Sequence, residues 1–285
     1  MPNKYINPFT DFGFKRLFGE EFNKDLLMDF LNQLLKEEEG EITSLTYLHA
    51  EQLGTTEFER RVVYDLYCEN QNGEKFIVEL QKAKQNYFKD RSVFYSSFPI
   101  QKQAVQGGDW DFKLKAVYTI GILDFVFDED KADPDKMLYK VKLSDIETKK
   151  VFYDKLTYIY IEMPKFKKTE DELETKFDKW LYVLKNLSTL EQFPKKWTDR
   201  IFTRLFELAE IAQFSDTDRA AYEQSVKVYR DWRNVWDTAM VDAEVRGRAE
   251  GKAEIVRGMS DRGMSRAEIA TLIGFDESEI ERLLT

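Results

Sequence analysis

The sequence predicts an α+β fold with a mixed sheet. Its elements follow in the order helix, three strands, helix and strand, and a helical arm comes after them. Apolar residues recur at helical spacing early in the chain, and β-branched and aromatic runs flank an Asn-Gly turn. The C-terminal part is highly charged with a helical period. We expect one domain over residues 1–212 and the arm over residues 213–285.

The order of elements follows from periodicity and turn residues. Helices are assigned where apolar residues repeat every three to four positions, and strands where Val, Ile and aromatic residues lie between turn signals. The predicted core is a helix at 25–38, strands at 42–49, 61–70 and 74–83, a helix at 87–106 and a strand at 114–125. Strands at 138–143 and 156–163 extend the sheet, and helices at 170–187 and 197–213 follow.

Carboxylates occur on both arms of the hairpin over residues 61–83. A two-residue loop of Asn72 and Gly73 would leave Asp65 on the face opposite Glu79, whereas a three-residue loop ending in a left-handed Gly73 would place the two directly opposite each other. Alternation then adds Gln81 to the same face. Strand carboxylates are usually only solvated, but Asp is depleted in strands, so Asp65 inside a Val-Val-Tyr-Asp-Leu-Tyr run invites a functional interpretation.

Three segments in order make this interpretation more specific: NPFTDFGFKRLFG at 7–19, the hairpin, and FKDRSVFYS at 88–96. Together they resemble the PD-(D/E)XK nuclease-like family of recombination-promoting nucleases and transposases. The resemblance implies a restriction-endonuclease-like αβββαβ core and metal-dependent cleavage of DNA. It also implies that Asp65 and Glu79 are ligands of Mg²⁺, with Mn²⁺ as a substitute, and that Gln81 is the third catalytic residue.

Gln81 stands where the superfamily more often has lysine. Its neutral amide can orient the attacking water but cannot stabilise charge that develops on the phosphate. Lys15 and Arg91 are the candidates to supply that charge, because both lie in segments that carry the resemblance. Lys82 should alternate to the face opposite Glu79 if the strand stays regular. The predicted DNA contacts are Lys15, Lys89, Arg91 and Tyr95.

Composition narrows the chemistry. Cys68 is the only cysteine and His49 the only histidine, which excludes a thiolate zinc cage and argues against a histidine metal site or a Ser-His-Asp triad. A metal would therefore be hard and oxygen-ligated. No apolar run reaches the ~20 residues of a membrane span, and no signal-peptide pattern begins the chain, so we expect a cytoplasmic protein without a membrane partner.

The net charge of −10 is unusual for a general nucleic-acid binder. A local basic rim is still compatible with it, and the lysines that follow the hairpin, including Lys113 and Lys115, are either such a rim or solvated side chains. Two functions stay open: a metal-dependent DNA endonuclease, and a catalytically weak or inactive nuclease-like scaffold that binds DNA or another protein.

The helical arm ends in a helix-turn-helix-like hairpin around Gly274. Two capping boxes mark its helices, namely Ser265 with Glu268 and Asp276 with Glu279. The second helix is acidic, which is poor chemistry for a DNA groove. We therefore expect these helices to serve in packing or in a homodimer.

Overall fold

The computed structural model describes residues 3–36, 40–52, 62–104 and 111–284. Glu38, Arg61 and Gln106, at which predicted elements begin or end, lie outside the described residues. The chain forms two compact units, residues 1–226 and 227–285. The expected boundary after residue 212 falls within the first unit.

The first unit contains a six-stranded mixed sheet. Its strands are β1 (Leu45–Tyr47), β4 (Leu66–Asn70), β5 (Lys75–Gln81), β6 (Val117–Leu123), β7 (Leu138–Ser144) and β8 (Val151–Glu162). Their order is β1-β4-β5-β6-β8-β7, with β5, β6 and β8 mutually parallel and the other pairs antiparallel. The two short strands β2 (Glu51–Gln52) and β3 (Val62–Val63) form a separate antiparallel ribbon. This architecture confirms the α+β, restriction-endonuclease-like fold.

Helices supply the rest of the core. They are α1 (Asp11–Phe18), α2 (Lys24–Leu34), α3 (Phe88–Gln101), α4 (Lys176–Asn186), α5 (Arg200–Ala209) and the long α6 (Asp216–Asp261). Every residue of β6 is buried, as expected for a central parallel strand covered on both faces. Trp180 of α4 is fully buried and contacts the rings of Phe18, Phe30 and Phe202, so four helices share one aromatic cluster.

Two differences from the sequence-based prediction bear on the site. The strand expected over 61–70 is broken, because β3 ends at Val63 and β4 begins at Leu66. Tyr64 still donates its backbone N–H to Ala50 of the ribbon at 3.0 Å, so the chain leaves one sheet and enters the other at Asp65. Helix α1 was not predicted as a helix, although its sequence carries part of the family resemblance.

Helix α1 begins at a tightly packed turn. Thr10 caps it by accepting a hydrogen bond from the N–H of Gly13 at 3.0 Å, and its hydroxyl donates to the carbonyl of Asn7 at 2.8 Å. A Cβ atom on Gly13 would lie 2.1 Å from that carbonyl oxygen. Only glycine therefore allows the backbone to approach this closely.

Replacing Gly13 with Ala should lower the free energy of unfolding by roughly 3 kcal/mol, because the clash is with backbone that cannot move aside. The matched control is Gly40→Ala, since a Cβ atom there meets nothing within 4 Å. Urea unfolding of both variants measures the difference. Equal stability of the two would show that the turn accommodates a side chain.

The second unit has a small core of its own. Helices α7 (Arg266–Ile273) and α8 (Glu277–Leu284) bury Ile269 and Ile280 together with Val256 of α6. The Ser265 box is present in full, and Gly274 ends α7 with φ +74°. Dimer formation through these helices stays a prediction. Among the described residues, no helix is both long and apolar enough to cross a membrane.

Candidate active site

The loop of the β4–β5 hairpin decides which residues face each other. Gly73 has φ +80°, and the backbone N–H of Asn70 donates to the carbonyl of Glu74 at 3.1 Å. The loop is thus the three-residue form, and the ladder pairs Leu66 with Val78. Continued by one step, this register sets Asp65 opposite Glu79, as the second of the two loop alternatives predicts.

Asp65 and Glu79 replace ladder hydrogen bonds where the strand breaks. Oδ2 of Asp65 accepts from the backbone N–H of Leu80 at 2.7 Å, and Oε1 of Glu79 accepts from the backbone N–H of Asp65 at 3.1 Å. Each carboxylate is thereby fixed by the opposite strand. Within the described residues, the second oxygen of each makes no hydrogen bond and is left for a ligand.

Burial and mutual repulsion make the two carboxylates hard to ionise together. Burial raises the pKa of Asp65, against the hydrogen bond from Leu80 that lowers it. Burial and the charge of Asp65 raise the pKa of Glu79 to about 8, although the N–H of Asp65 and the guanidinium of Arg91 oppose the shift. A pair of this kind is stabilised when a cation binds between its members.

Gln81 is the third member of the face, and both ends of its amide have protein partners. Oε1 accepts from the Arg91 guanidinium at 2.5 Å, and Nε2 donates to the carbonyl of Ala83 at 2.9 Å. One N–H of the amide remains for a water molecule. The side chain is buried, so its orientation is determined by these contacts.

Helix α3 positions Arg91 beside Gln81. Phe88 packs over Gly121 of β6, the residue paired with Glu79, at a point where a Cβ atom would lie 3.4 Å from the ring. The guanidinium carbon of Arg91 lies 4.9 Å from the ring centre of Phe88 and 5.5 Å from that of Tyr95. Stacking between two rings restricts the side chain, whose two terminal nitrogens donate to Gln81 and to Gln85 in the loop after β5.

The predicted lysine contacts are placed differently from one another. Lys15 forms an ion pair with Asp11 at 2.9 Å, and its charge lowers the pKa of Asp65. Lys89 likewise forms an ion pair, with Glu129, and lies 4.4 Å from the ring centre of Phe127. Its ammonium is therefore engaged by a carboxylate of its own chain.

Lys82 was expected on the opposite face but interacts with the carboxylates. Strand β5 ends at Gln81, so alternation stops one residue before Lys82. Burial lowers the pKa of Lys82, and the charges of Asp11 and Asp65 raise it. Alternation could not predict this position, because the rule holds only within a strand and the strand was expected to run on to residue 83.

The donor set fits a hard divalent cation. Mg²⁺ is commonly held by one or two carboxylates while it keeps several waters and binds substrate phosphate oxygens. Asp65 and Glu79 offer two such oxygens. Among the described residues no group of three or more Asp, Glu, His or Cys side chains forms a larger ligand set.

Comparison with known proteins identifies the family of the chain and agrees with its fold. No curated protein and no solved structure gives a significant match. The sequence model of the PD-(D/E)XK nuclease family transposases matches residues 8–239, which is more than half of the chain and includes the hairpin, α1 and α3. The chain therefore belongs to the PD-(D/E)XK nuclease family transposases, a family that supports a role related to nuclease or transposase activity.

Proposed function

We propose that this protein is a DNA endonuclease that depends on Mg²⁺, or on Mn²⁺ as a substitute, and acts in recombination or on mobile elements. The observation that carries the proposal is the facing pair of Asp65 and Glu79, each fixed by the opposite strand through one oxygen and open at the other. When bound there, the cation would supply Lewis-acid activation of the phosphodiester and of the attacking water.

The side chains around the pair have separate roles in this proposal. Asp65 and Glu79 hold the cation. Arg91 donates to the non-bridging oxygens of the scissile phosphate and supplies the positive charge that a lysine at position 81 would bring. Gln81 is a positioning residue, because its oxygen holds Arg91, and its remaining N–H is available to orient a water.

Contacts to the rest of the DNA come from residues around the same edge. Lys15 lies near Asp65 and can pair with a phosphate next to the site. Tyr95 flanks Arg91, and its ring completes the stack. Lys15 and Lys89 are each paired with a carboxylate of this chain, Asp11 and Glu129, so each can contact DNA only by leaving it and we expect both contributions to be small.

The test is nicking of supercoiled plasmid by the full-length chain with Mg²⁺, with Mn²⁺ and with EDTA. Wild type is compared with Asp65→Asn, Glu79→Gln and the matched control Glu191→Gln, which changes an exposed carboxylate of the same unit. We expect metal-dependent nicking by wild type and control alone. Nicking that survives in both site variants would contradict the site.

A chain that does not nick under any metal or salt condition would contradict the endonuclease proposal as a whole. The scaffold interpretation then makes its own prediction. DNA binding, measured by fluorescence anisotropy, would persist in wild type and be unaffected by Glu79→Gln.

A further inference from the structure

The lysines that follow the hairpin in sequence lie at two ends of the sheet. Strand pair β5–β6 starts at Lys75 with Val117 and ends at Gln81 with Leu123. Six residue steps in a strand span about 20 Å. Lys82 therefore lies at the carboxylate end, whereas Lys113 and Lys115 precede β6 at the other end.

A cavity of about 630 Å³ is present at this second end, where β5 and β6 begin. Loop, strand and hairpin segments line it together, and its charged lining residues are Lys113, Lys115, Lys142, Lys155, Glu74 and Asp154. Four lysines around two carboxylates give the cavity an excess of positive charge, in a chain whose net charge is −10. Such a local reversal of sign concentrates anions from solution.

Two of the four lysines, Lys113 and Lys115, keep their charge available among the residues that the structure describes. The carboxylate of Glu74 accepts a hydrogen bond on Oε2 from the neutral amide of Asn70 at 2.6 Å and forms no ion pair with these two lysines in the described residues. Lys155 donates to the backbone carbonyl of Leu114 at 3.0 Å, which ties the wall together without using a carboxylate. In the part of the chain that the structure describes, neither Lys113 nor Lys115 pairs with a carboxylate.

The lining also indicates which part of a ligand is recognised. Its described residues include no aromatic ring that could stack on a base, and the apolar contribution comes only from Leu114, Ala116 and the lysine stems. The volume exceeds that of one phosphate and suits several linked ones. Recognition by lysine alone is recognition of charge rather than of a planar group.

From this we infer that the cavity is a second anion site, which binds a ligand carrying two or more linked phosphates, separately from the carboxylate pair. The linked phosphates belong either to a nucleic-acid backbone or to a free polyphosphate. The site goes beyond the proposed nuclease function and does not depend on it, since binding here needs neither cleavage nor a cation.

The experiment is isothermal titration of the full-length chain in EDTA with inorganic tripolyphosphate, and separately with a short single-stranded oligonucleotide. Lys113→Ala/Lys115→Ala removes two exposed lysines of the cavity, and Lys167→Ala/Lys195→Ala removes two exposed lysines elsewhere in the same unit. We expect the first variant to weaken binding at least about tenfold and the second to leave it within about twofold. Asp154→Asn should tighten binding, because it removes an opposing charge.

Each titration has an outcome that supports or overturns the inference. Saturable tripolyphosphate binding that falls only in the Lys113→Ala/Lys115→Ala variant supports the site, and binding of the oligonucleotide alone with the same dependence identifies the backbone as its ligand. Absence of saturable binding by either probe, or an equal loss in the control variant, overturns the inference. Neither result bears on plasmid nicking, so failure of this site is distinguishable from failure of the endonuclease proposal.

Discussion

Replacing Glu79 with Gln should abolish cleavage and at the same time stabilise the metal-free protein. Loss of the ligand oxygen should lower the nicking rate on the order of 10³-fold, since Lewis-acid stabilisation is worth several kcal/mol. The amide keeps an oxygen for the N–H of Asp65 but removes a buried group whose ionisation burial and the neighbouring carboxylate oppose. We expect a gain of about 1 kcal/mol in the free energy of unfolding, the trade-off typical of residues kept for activity.

The pH dependence of stability gives this prediction a second readout. The pKa of Glu79 rises to about 8 in the folded chain from an ordinary value of 4.5, so between these values the folded state binds more protons than the unfolded state. Stability of metal-free wild type should therefore fall as pH rises through that interval, by up to about 1.4 kcal/mol per pH unit. Urea unfolding of wild type, Glu79→Gln and Glu191→Gln at pH 5 to 8 measures the slope.

Mn²⁺ should restore the stability that wild type and the control lose as pH rises, because a cation that binds only the folded state stabilises it. It should not stabilise Glu79→Gln in this way. A thermal-shift titration follows this directly. A variant that is destabilised at neutral pH, or that keeps the full Mn²⁺ shift, would contradict the assignment of Glu79 as a buried ligand.

Replacing Arg91 with Met should lower the nicking rate by roughly 10²- to 10³-fold, as expected when one charged donor to a developing oxyanion is lost. Met keeps an unbranched stem that can pack between Phe88 and Tyr95, so the helix should stay in place. Arg91→Lys should retain part of the rate. The matched control is Arg200→Met, at an exposed position of the same unit.

Rescue distinguishes a charge requirement from a structural one. If Arg91 supplies the positive charge that a lysine at position 81 would bring, then Gln81→Lys combined with Arg91→Met should recover part of the activity. The combination of Gln81→Ala with Arg91→Met should not. DNA affinity in Ca²⁺ provides a readout without cleavage. Its salt slope should fall by about one in Arg91→Met if the guanidinium contacts a phosphate. If Gln81→Lys restores no activity and the salt slope is unchanged, Arg91 acts only in packing.

Much of the sheet could be predicted because its signals are local. The run Val117–Leu123 has the pattern of a buried strand, and the three-residue alternative for the loop at Gly73 gives the hairpin register that the structure has. The break at Asp65 could not be predicted, because Tyr64 pairs with Ala50, a partner distant in sequence. Helix α1 was missed although Thr10 is a good N-cap and Phe14, Leu17 and Phe18 recur at helical spacing, because eight residues are too few for periodicity alone to indicate a helix.

The residues of the candidate site also fall into those that local rules predict and those that only tertiary packing brings together. Alternation and loop length place Asp65, Glu79 and Gln81 on one face, since these are rules of a single hairpin. The engagement of Arg91 with Gln81 requires the position of α3 on the sheet, and the attachment of Lys89 to Glu129 requires the loop after β6. Charged side chains on different elements meet through tertiary packing, which no spacing in the sequence encodes.

The hydrogen bonds that Asp65 and Glu79 accept from the opposite strand also bear on how such a protein evolves. Both carboxylates take the place of missing ladder bonds at the point where the chain changes sheets. Truncating either one would leave a backbone N–H of the hairpin without its acceptor. A descendant that has lost catalysis would still be under selection to keep both residues, so their presence in a relative is weak evidence that the relative cuts DNA.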